Sequence, residues 1–212
     1  RFQRAVDLYN IYAASLPNNS IVPHAPYSVS PRLFELINDF PGNNLLTIHN
    51  QEIEDENKLF ESGEGDIVRM YEKMGVDISF FKPSGRSSLQ TWLPLFNKKR
   101  KVILVHNVAT SAADIAFTRL HNSNFHQQTY FCLCPNANLY ITNTLPDVIT
   151  LINNDCSIVL GTDSLASNDQ LSILEEIRTL MKHFPALQLK TMLNWATING
   201  ARALGIENVY GS

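Results

Sequence analysis

Five apolar runs recur along the chain: "SIVPH" (Ser20 to His24), "LLTIH" (Leu45 to His49), "KVILVH" (Lys101 to His106), "TYFCLC" (Thr129 to Cys134) and "SIVLGTD" (Ser157 to Asp163). Each is a continuous apolar stretch rather than an alternating one. That is the pattern of strands covered on both faces, as in a parallel sheet under helices. Between them lie segments of helical period. "FQRAVDLYNIYAA" places Phe2, Ala5, Val6, Tyr9 and Tyr12 on one side. "PRLFELINDF" opens with Pro31 in its first turn, where the missing N–H costs nothing. "DIVRMYEKM", "SAADIAFTRL" and "LPDVITLINN" continue the series, the last opened by Pro146. "DQLSILEEIRTLMKHF" carries Leu171, Leu174, Ile177, Leu180, Met181 and Phe184 as one stripe. "LKTMLNWATINGARALG" reads as a final helix stopped by Gly205. "VDISFF" (Val76 to Phe81) is a candidate sixth strand, and "SGEG" (Ser62 to Gly65) a loop.

Strand and helix alternate, which admits an open doubly wound sheet or part of a (β/α) barrel. An open sheet of this kind normally offers a glycine-rich phosphate loop, and neither G-x-G-x-x-G nor G-x-x-x-x-G-K-[ST] occurs. Polar residues gather instead at the carboxyl ends of several strands. A barrel assembles its chemistry there, whereas an open sheet concentrates ligand groups at one crossover. The expected fold class is therefore α/β, a partial TIM barrel.

Composition narrows the function classes. The 212 residues are 44% hydrophobic and 17% charged, enough for one substantial core. A net charge of −3, with no basic stripe, speaks against nucleic acid as a partner. "NKKRK" (Asn97 to Lys101) reads as a solvated loop. No apolar run approaches the about 20 residues that span a bilayer, and no signal peptide opens the sequence, so no membrane partner and a cytoplasmic location are expected. Cys132, Cys134 and Cys156 make no disulfide framework. The C-x-C pair has no second pair, and Cys156 is expected to be buried.

The strand ends supply candidate chemistry: His24; His49 and Glu52; His106; Cys134 and Asn136; Asp163. Imidazole and carboxylate are the usual nitrogen and oxygen ligands of zinc and iron. A metal at His49 and Asp163 could bring the pKa of a bound water to about 7. Singly, a strand-end histidine is ordinarily a hydrogen-bonded structural residue, and an aspartate before a helix ordinarily a cap. Such residues have no reason to concentrate on one face, and the joint pattern is what marks a site. His121, His126 and His183 read as surface or helix-terminal residues.

The set "PHAPYS … HNQE … VHN … CPNAN … LGTDSLASN … ATINGARALG" resembles the amidohydrolase superfamily, in the branch of guanine, adenosine and S-adenosylhomocysteine deaminases and triazine chlorohydrolases. The resemblance runs from about Ile21 to Gly205. It implies that His49 is a metal ligand, Glu52 a proton shuttle and His106 a group that polarises the attacked atom. It makes Asp163 both ligand and general base, and His24 a substrate contact. The turn of Cys134, Pro135, Asn136 and Asn138 shapes the pocket, with Asn136 as a substrate-binding residue. The implied cofactor is a divalent metal, zinc first and iron second. The implied reaction is hydrolytic deamination of an amino-substituted heterocycle, a purine or nucleoside-like small molecule. Hydrolytic dechlorination is the alternative, and a catalytically silent ligand-binding domain on the same fold is a third reading.

The family's H-x-H metal pair occurs nowhere in this chain. The match starts at about the fourth strand of eight. The resemblance thus implies one incomplete TIM-barrel domain over residues 1–212, strands four to eight with their helices, without the first barrel strands or the β-sandwich domain. On that reading this stretch alone is inactive and holds metal poorly, while the intact protein is the enzyme. A homo-oligomer of the intact protein is compatible with it.

Overall fold

The computed structural model describes residues 2–16 and 19–211. Four parallel strands form one sheet in sequential order: β1 (Leu45–Asn50), β2 (Lys101–His106), β3 (Gln128–Leu133) and β4 (Ser157–Leu160). The register runs Leu45 opposite Lys101 to Asn50 opposite His106, then Lys101 opposite Gln128, then Tyr130 opposite Ser157. Sequential parallel order with helical crossovers is the barrel arrangement; a doubly wound sheet would reverse direction partway.

The outer face of the sheet is buried, and the inner face is buried in β3 and half-buried in β1. Leu46, Ile48, Val102, Leu104, Phe131, Leu133 and Ile158 meet the outer helices in the main core. That core includes Phe34 and Ile37 of α2 (Pro31–Asp39) and Ile115 of α6 (Ala112–Phe125). It also takes Ile177 and Leu180 of α9 (Ile173–His183). The inner face carries a smaller cluster of Ile103, Tyr130, Cys132 and Val159, met by Ala203 of α11 (Ile198–Leu204). Gly161 lies against this cluster, where an added Cβ would come within 2.8 Å of Cys132 Sγ. The helix α1 (Phe2–Ala13) lays Phe2 and Tyr9 edge-on against Phe40.

Several expectations are corrected. "SIVPH" is not a strand. It runs beside β1, tied by the Asn43 side chain, which accepts from Ile21 N and donates to Ile21 O, both at 2.8 Å. One backbone bond, His49 N to His24 O at 2.9 Å, completes the attachment. Side-chain bonds have replaced a ladder. "VDISFF" is a turn, because α4 (Asp66–Lys73) ends near Gly75 at φ +65° and Asp77 then accepts from Ser79 N at 2.8 Å. The last helix is two, α10 (Leu189–Ala196) and α11, broken at Thr197, whose hydroxyl bonds back to Leu193 O. The stripe of α9 is narrower than its period suggests: the helix starts after Ser172, and Leu171, Leu174 and Met181 are exposed. Asp147, not Pro146, caps α8 (Val148–Asn153).

Three helices carried too weak a period to be read. They are α3 (Glu54–Ser62), α5 (Ser88–Trp92) and α7 (Pro135–Thr142). In "NKKRK", Arg100 is buried and donates to Asn38 O at 2.8 Å, at the carboxyl end of α2. His121 is buried beside Phe125 rather than on the surface. Cys156 is only half-buried. Among the described residues, no helix is long and apolar enough to cross a membrane.

Candidate active site

The carboxyl ends of the strands are where the backbone leaves its ordinary conformations. Gln51, His106, Asn107 and Asp163 have φ of 46°, 79°, 63° and 58°. Left-handed residues without a glycine cost on the order of 1–3 kcal/mol each and persist only where surrounding bonds over-determine them. Around Gln51 and Asn107 those bonds are abundant. Asn107 donates to Leu104 O and Cys132 O, at 2.8 and 3.2 Å. Gln51 donates to Asn57 Oδ1 and Asp114 Oδ2, both at 3.0 Å, and accepts from Thr110 Oγ1 at 2.7 Å. His106 and Asp163 are themselves left-handed, and Gln51 directly precedes Glu52.

One ligand atom from each of His49, His106 and Asp163 lies within 4.8 Å of the others. Glu52 stands between the two imidazoles, Oε1 3.4 Å from His106 Nε2 and Oε2 3.9 Å from His49 Nδ1. The exposed His24 puts its ring 4.6 Å from that of His49, whose ring meets His106 edge-on at 4.8 Å. All five residues therefore converge at one end of the sheet. Asn136 does not join them: its side chain accepts from Thr179 of α9, and its N–H donates to Glu176 at 2.9 Å. Asn138, two residues further along α7, meets His106 Nδ1 at 3.0 Å.

Burial sets the electrostatics. It pushes the Glu52 carboxyl up to about 7, helped by the nearby Asp163 charge. It pushes the His106 imidazole down to about 4, with His49 adding to the effect. His49 is also lowered, by burial and then by His24. Near neutral pH the site thus offers two uncharged imidazoles, and a carboxyl poised to take or give a proton. His106 Nε2 is buried and has no hydrogen-bond partner among the described residues. An orphaned imidazole nitrogen converging with a second imidazole and a carboxylate is a donor set suited to a divalent ion.

A polar network lies behind Glu52 and His106. Asp114 accepts from Ser87, Gln90, Gln51 and Ser111. Glu56, wholly buried, accepts from Ser88 Oγ at 2.6 Å and Gln51 N at 2.9 Å. Glu176 joins the other loops, accepting from Asn168 at 2.8 Å as well as from Asn136 N. Sequence reasoning missed these residues. One signal was present: "SAAD" forms a capping box in which Ser111 and Asp114 bond reciprocally. Asn138 was visible in "CPNAN" but could not be told from its neighbour. Two surface hollows, of about 490 Å³ beside Asp55 and Arg69 and about 250 Å³ between α6 and β3, are lined by none of the cluster.

Residues 12–212 match the amidohydrolase family model. The chain is 26% identical over 220 residues to a 5-methylthioadenosine/S-adenosylhomocysteine deaminase of Saccharophagus degradans, covering 99% of this chain and 41% of that protein. It is 27% identical over 197 residues to a 5'-deoxyadenosine deaminase of Methanobrevibacter smithii, covering 90% and 40%. Among solved structures, an adenosine deaminase from Xanthomonas campestris with bound zinc superimposes with a TM-score of 0.76 at 25% identity. That match covers 100% of this chain and 44% of the other. The chain thus spans about two fifths of the length of the curated relatives it matches.

Proposed function

The chain belongs to the amidohydrolase family, and on that premise we propose that the whole protein deaminates an amino-substituted heterocycle, purine or nucleoside-like, by metal-dependent hydrolysis. The observation that carries the reading is Glu52, a carboxyl with a pKa near neutrality held between His49 and His106 and facing Asp163. The naming of similar proteins as deaminases supports the same chemistry.

A divalent ion, zinc first and iron second, held by His49 and Asp163, would bring a bound water's pKa toward about 7. Asp163 accepts the proton of the attacking water. Glu52 carries a proton to the ring nitrogen beside the attacked carbon and afterwards to the departing amine. His106 presents Nε2 to the attacked group, and His24, at the exposed rim, contacts the substrate. The balance is simple: the heterocycle's amino group and water become a ring carbonyl and ammonia.

Residues 1–212 contain no H-x-H pair; with His106 Nε2 given to the attacked group, His49 and Asp163 alone are two ligands, fewer than the three or more of a stable zinc site. The whole protein therefore completes the shell with ligands beyond those in this stretch, and the 212-residue chain holds metal weakly. The discriminating experiment offers the whole protein, metal-loaded, an aminopurine nucleoside, guanine and a chlorinated triazine. It measures ammonia and chloride separately. Ammonia release supports deamination. Chloride alone would make the protein a dechlorinating enzyme, and neither product would leave a silent binding domain.

A further inference from the structure

We propose that Cys132 and Cys134 form a two-sulfur site for a soft, thiophilic centre, namely trivalent arsenic bearing one organic group. Such a site is separate from the ion site of His49 and Asp163 and owes nothing to the reaction proposed above.

Cys132 lies in β3, and Cys134 follows the last residue of that strand. Alternation along a strand sends residues two apart to the same face. Both cysteines accordingly belong to the inner-face cluster, whereas Leu133 between them packs into the outer core. Gly161, just beyond β4, shows how closely the sulfurs approach each other. A Cβ built there would lie 2.8 Å from Cys132 Sγ and 3.3 Å from Cys134 Sγ, so the two sulfurs border one point. Both thiols are free and buried. The hydrogen bond with Cys132, and then burial, hold the Cys134 thiol well above its ordinary range, so it keeps its proton at neutral pH. A single free cysteine is ordinarily a small buried hydrophobe. Two sulfurs paired on one face are a chelate.

The chemistry of the pair selects what it holds. A direct disulfide fits poorly, because strand residues two apart have Cα atoms about 6.6 Å apart, near the upper limit of about 6.8 Å that a disulfide spans. Zinc asks for four donors in a tetrahedron, and among the described residues the two cysteines join no cluster of three ligands. Thiols suit soft centres, and an arsenic atom that already carries one carbon has two bonds left to make. In the reaction with R–As(OH)2, two S–H bonds and two As–O bonds break and two As–S bonds form. Each hydroxide leaves as water with one thiol proton. Arsenic stays trivalent, so neither oxidant nor reductant is consumed, and protonated thiols suffice. The apolar surroundings of Ile103, Val159 and Ala203 exclude the water that would hydrolyse As–S bonds. Cys156 is a built-in control: it packs against the outer core, on the other face of the sheet from both remaining cysteines.

The test treats the whole, metal-loaded protein with methylarsonous acid and then with a large excess of a monothiol. A monothiol strips arsenic held by one sulfur, whereas arsenic chelated by two stays until a small dithiol removes it. Digestion after arginine and before aspartate then releases residues 120–146, which contain Cys132 and Cys134 but not Cys156. Mass spectrometry of that fragment should show a single methylarsenic group with both thiol protons lost. Cys156→Ala should leave this unchanged. Cys132→Ala and Cys134→Ala should each abolish the group that survives the monothiol. An unmodified fragment from the wild type overturns the proposal, and so does a modified one from either folded alanine variant. Should those variants not fold, the wild-type fragment decides alone. None of these readouts uses turnover, so failure of the deaminase reading and failure of this one are separate results.

Discussion

Glu52 and His106 are held in a different way from Asp163. Behind the first pair, the ends of β1 and β2 and the loop before α5 are joined by buried amides, hydroxyls and two carboxylates, with Gln51 and Asn50 wholly buried. Asp163 is half-exposed at the mouth of the loop after β4, and among the described residues its side chain is held by the Ser167 hydroxyl. The β1–β2 end, which carries Glu52, His106 and His49, is therefore preorganised, and Asp163 is held by fewer bonds. Preorganisation matters most where a proton must be delivered to a fixed atom, because displacement there is felt in the rate.

The sharpest way to break this contrast is Glu52→Gln in the whole protein. It keeps the size and the inner ligands but carries no transferable proton, so turnover should fall by about 10²–10⁴-fold with metal content unchanged. Ammonia release and elemental analysis on the same sample would read it. Near-normal turnover would remove the shuttle role.

Asp114→Ala should cost stability instead. Its carboxyl stays below the usual range although burial pushes it up, because the bonds from Ser87, Ser111 and Gln51 outweigh burial. Deleting it orphans several buried donors, a loss on the order of 4 kcal/mol in denaturant unfolding. A loss within experimental error would show that the network does not over-determine the β1–β2 end.

Glu56 behaves in the opposite direction. Burial raises its carboxyl from 4.5 to about 7, against the bonds from Ser88 and Gln51. A raised folded pKa means that the folded state keeps the proton longer than the unfolded chain. Its contribution to stability is then full below 4.5 and disappears as pH rises through about 7. Glu56→Gln should be neutral in acid and more stable than wild type above neutrality, by on the order of 3 kcal/mol. Unfolding curves at both pH extremes check the sign. The smallest effect is expected of Ser167→Ala, with stability changed by about 1 kcal/mol or less and zinc affinity lowered more visibly than the fold. A large loss of stability there would make the two ends alike.

The sequence made the outline of this site legible because barrel strands end in their functional residues. His49, His106 and Asp163 each stop an apolar run, and Glu52 follows at fixed spacing. Parallel order was legible for the same reason, from unbroken apolar strands alternating with helices. The lost detail has physical causes. "SIVPH" has the composition of a strand, but one asparagine side chain supplies the bonds a ladder would have made. The period of "LKTMLNWATINGARALG" is continuous, and the break at Thr197 leaves it almost intact. Asn136 and Asn138 are chemically identical, and only the direction in which α7 leaves β3 decides which one meets His106. The network around Asp114 joins residues up to 63 positions apart, beyond any local pattern.

In the proposed function, His49, Glu52, His106 and Asp163 form one metal-dependent hydrolytic site in the whole protein. Ammonia release from an aminopurine nucleoside, followed through chelation and then readdition of zinc, tests it most directly. The expected result is release that chelation abolishes and zinc restores, with no restoration in Glu52→Gln. Release that survives complete removal of metal, or that Glu52→Gln restores as well as wild type does, would contradict it.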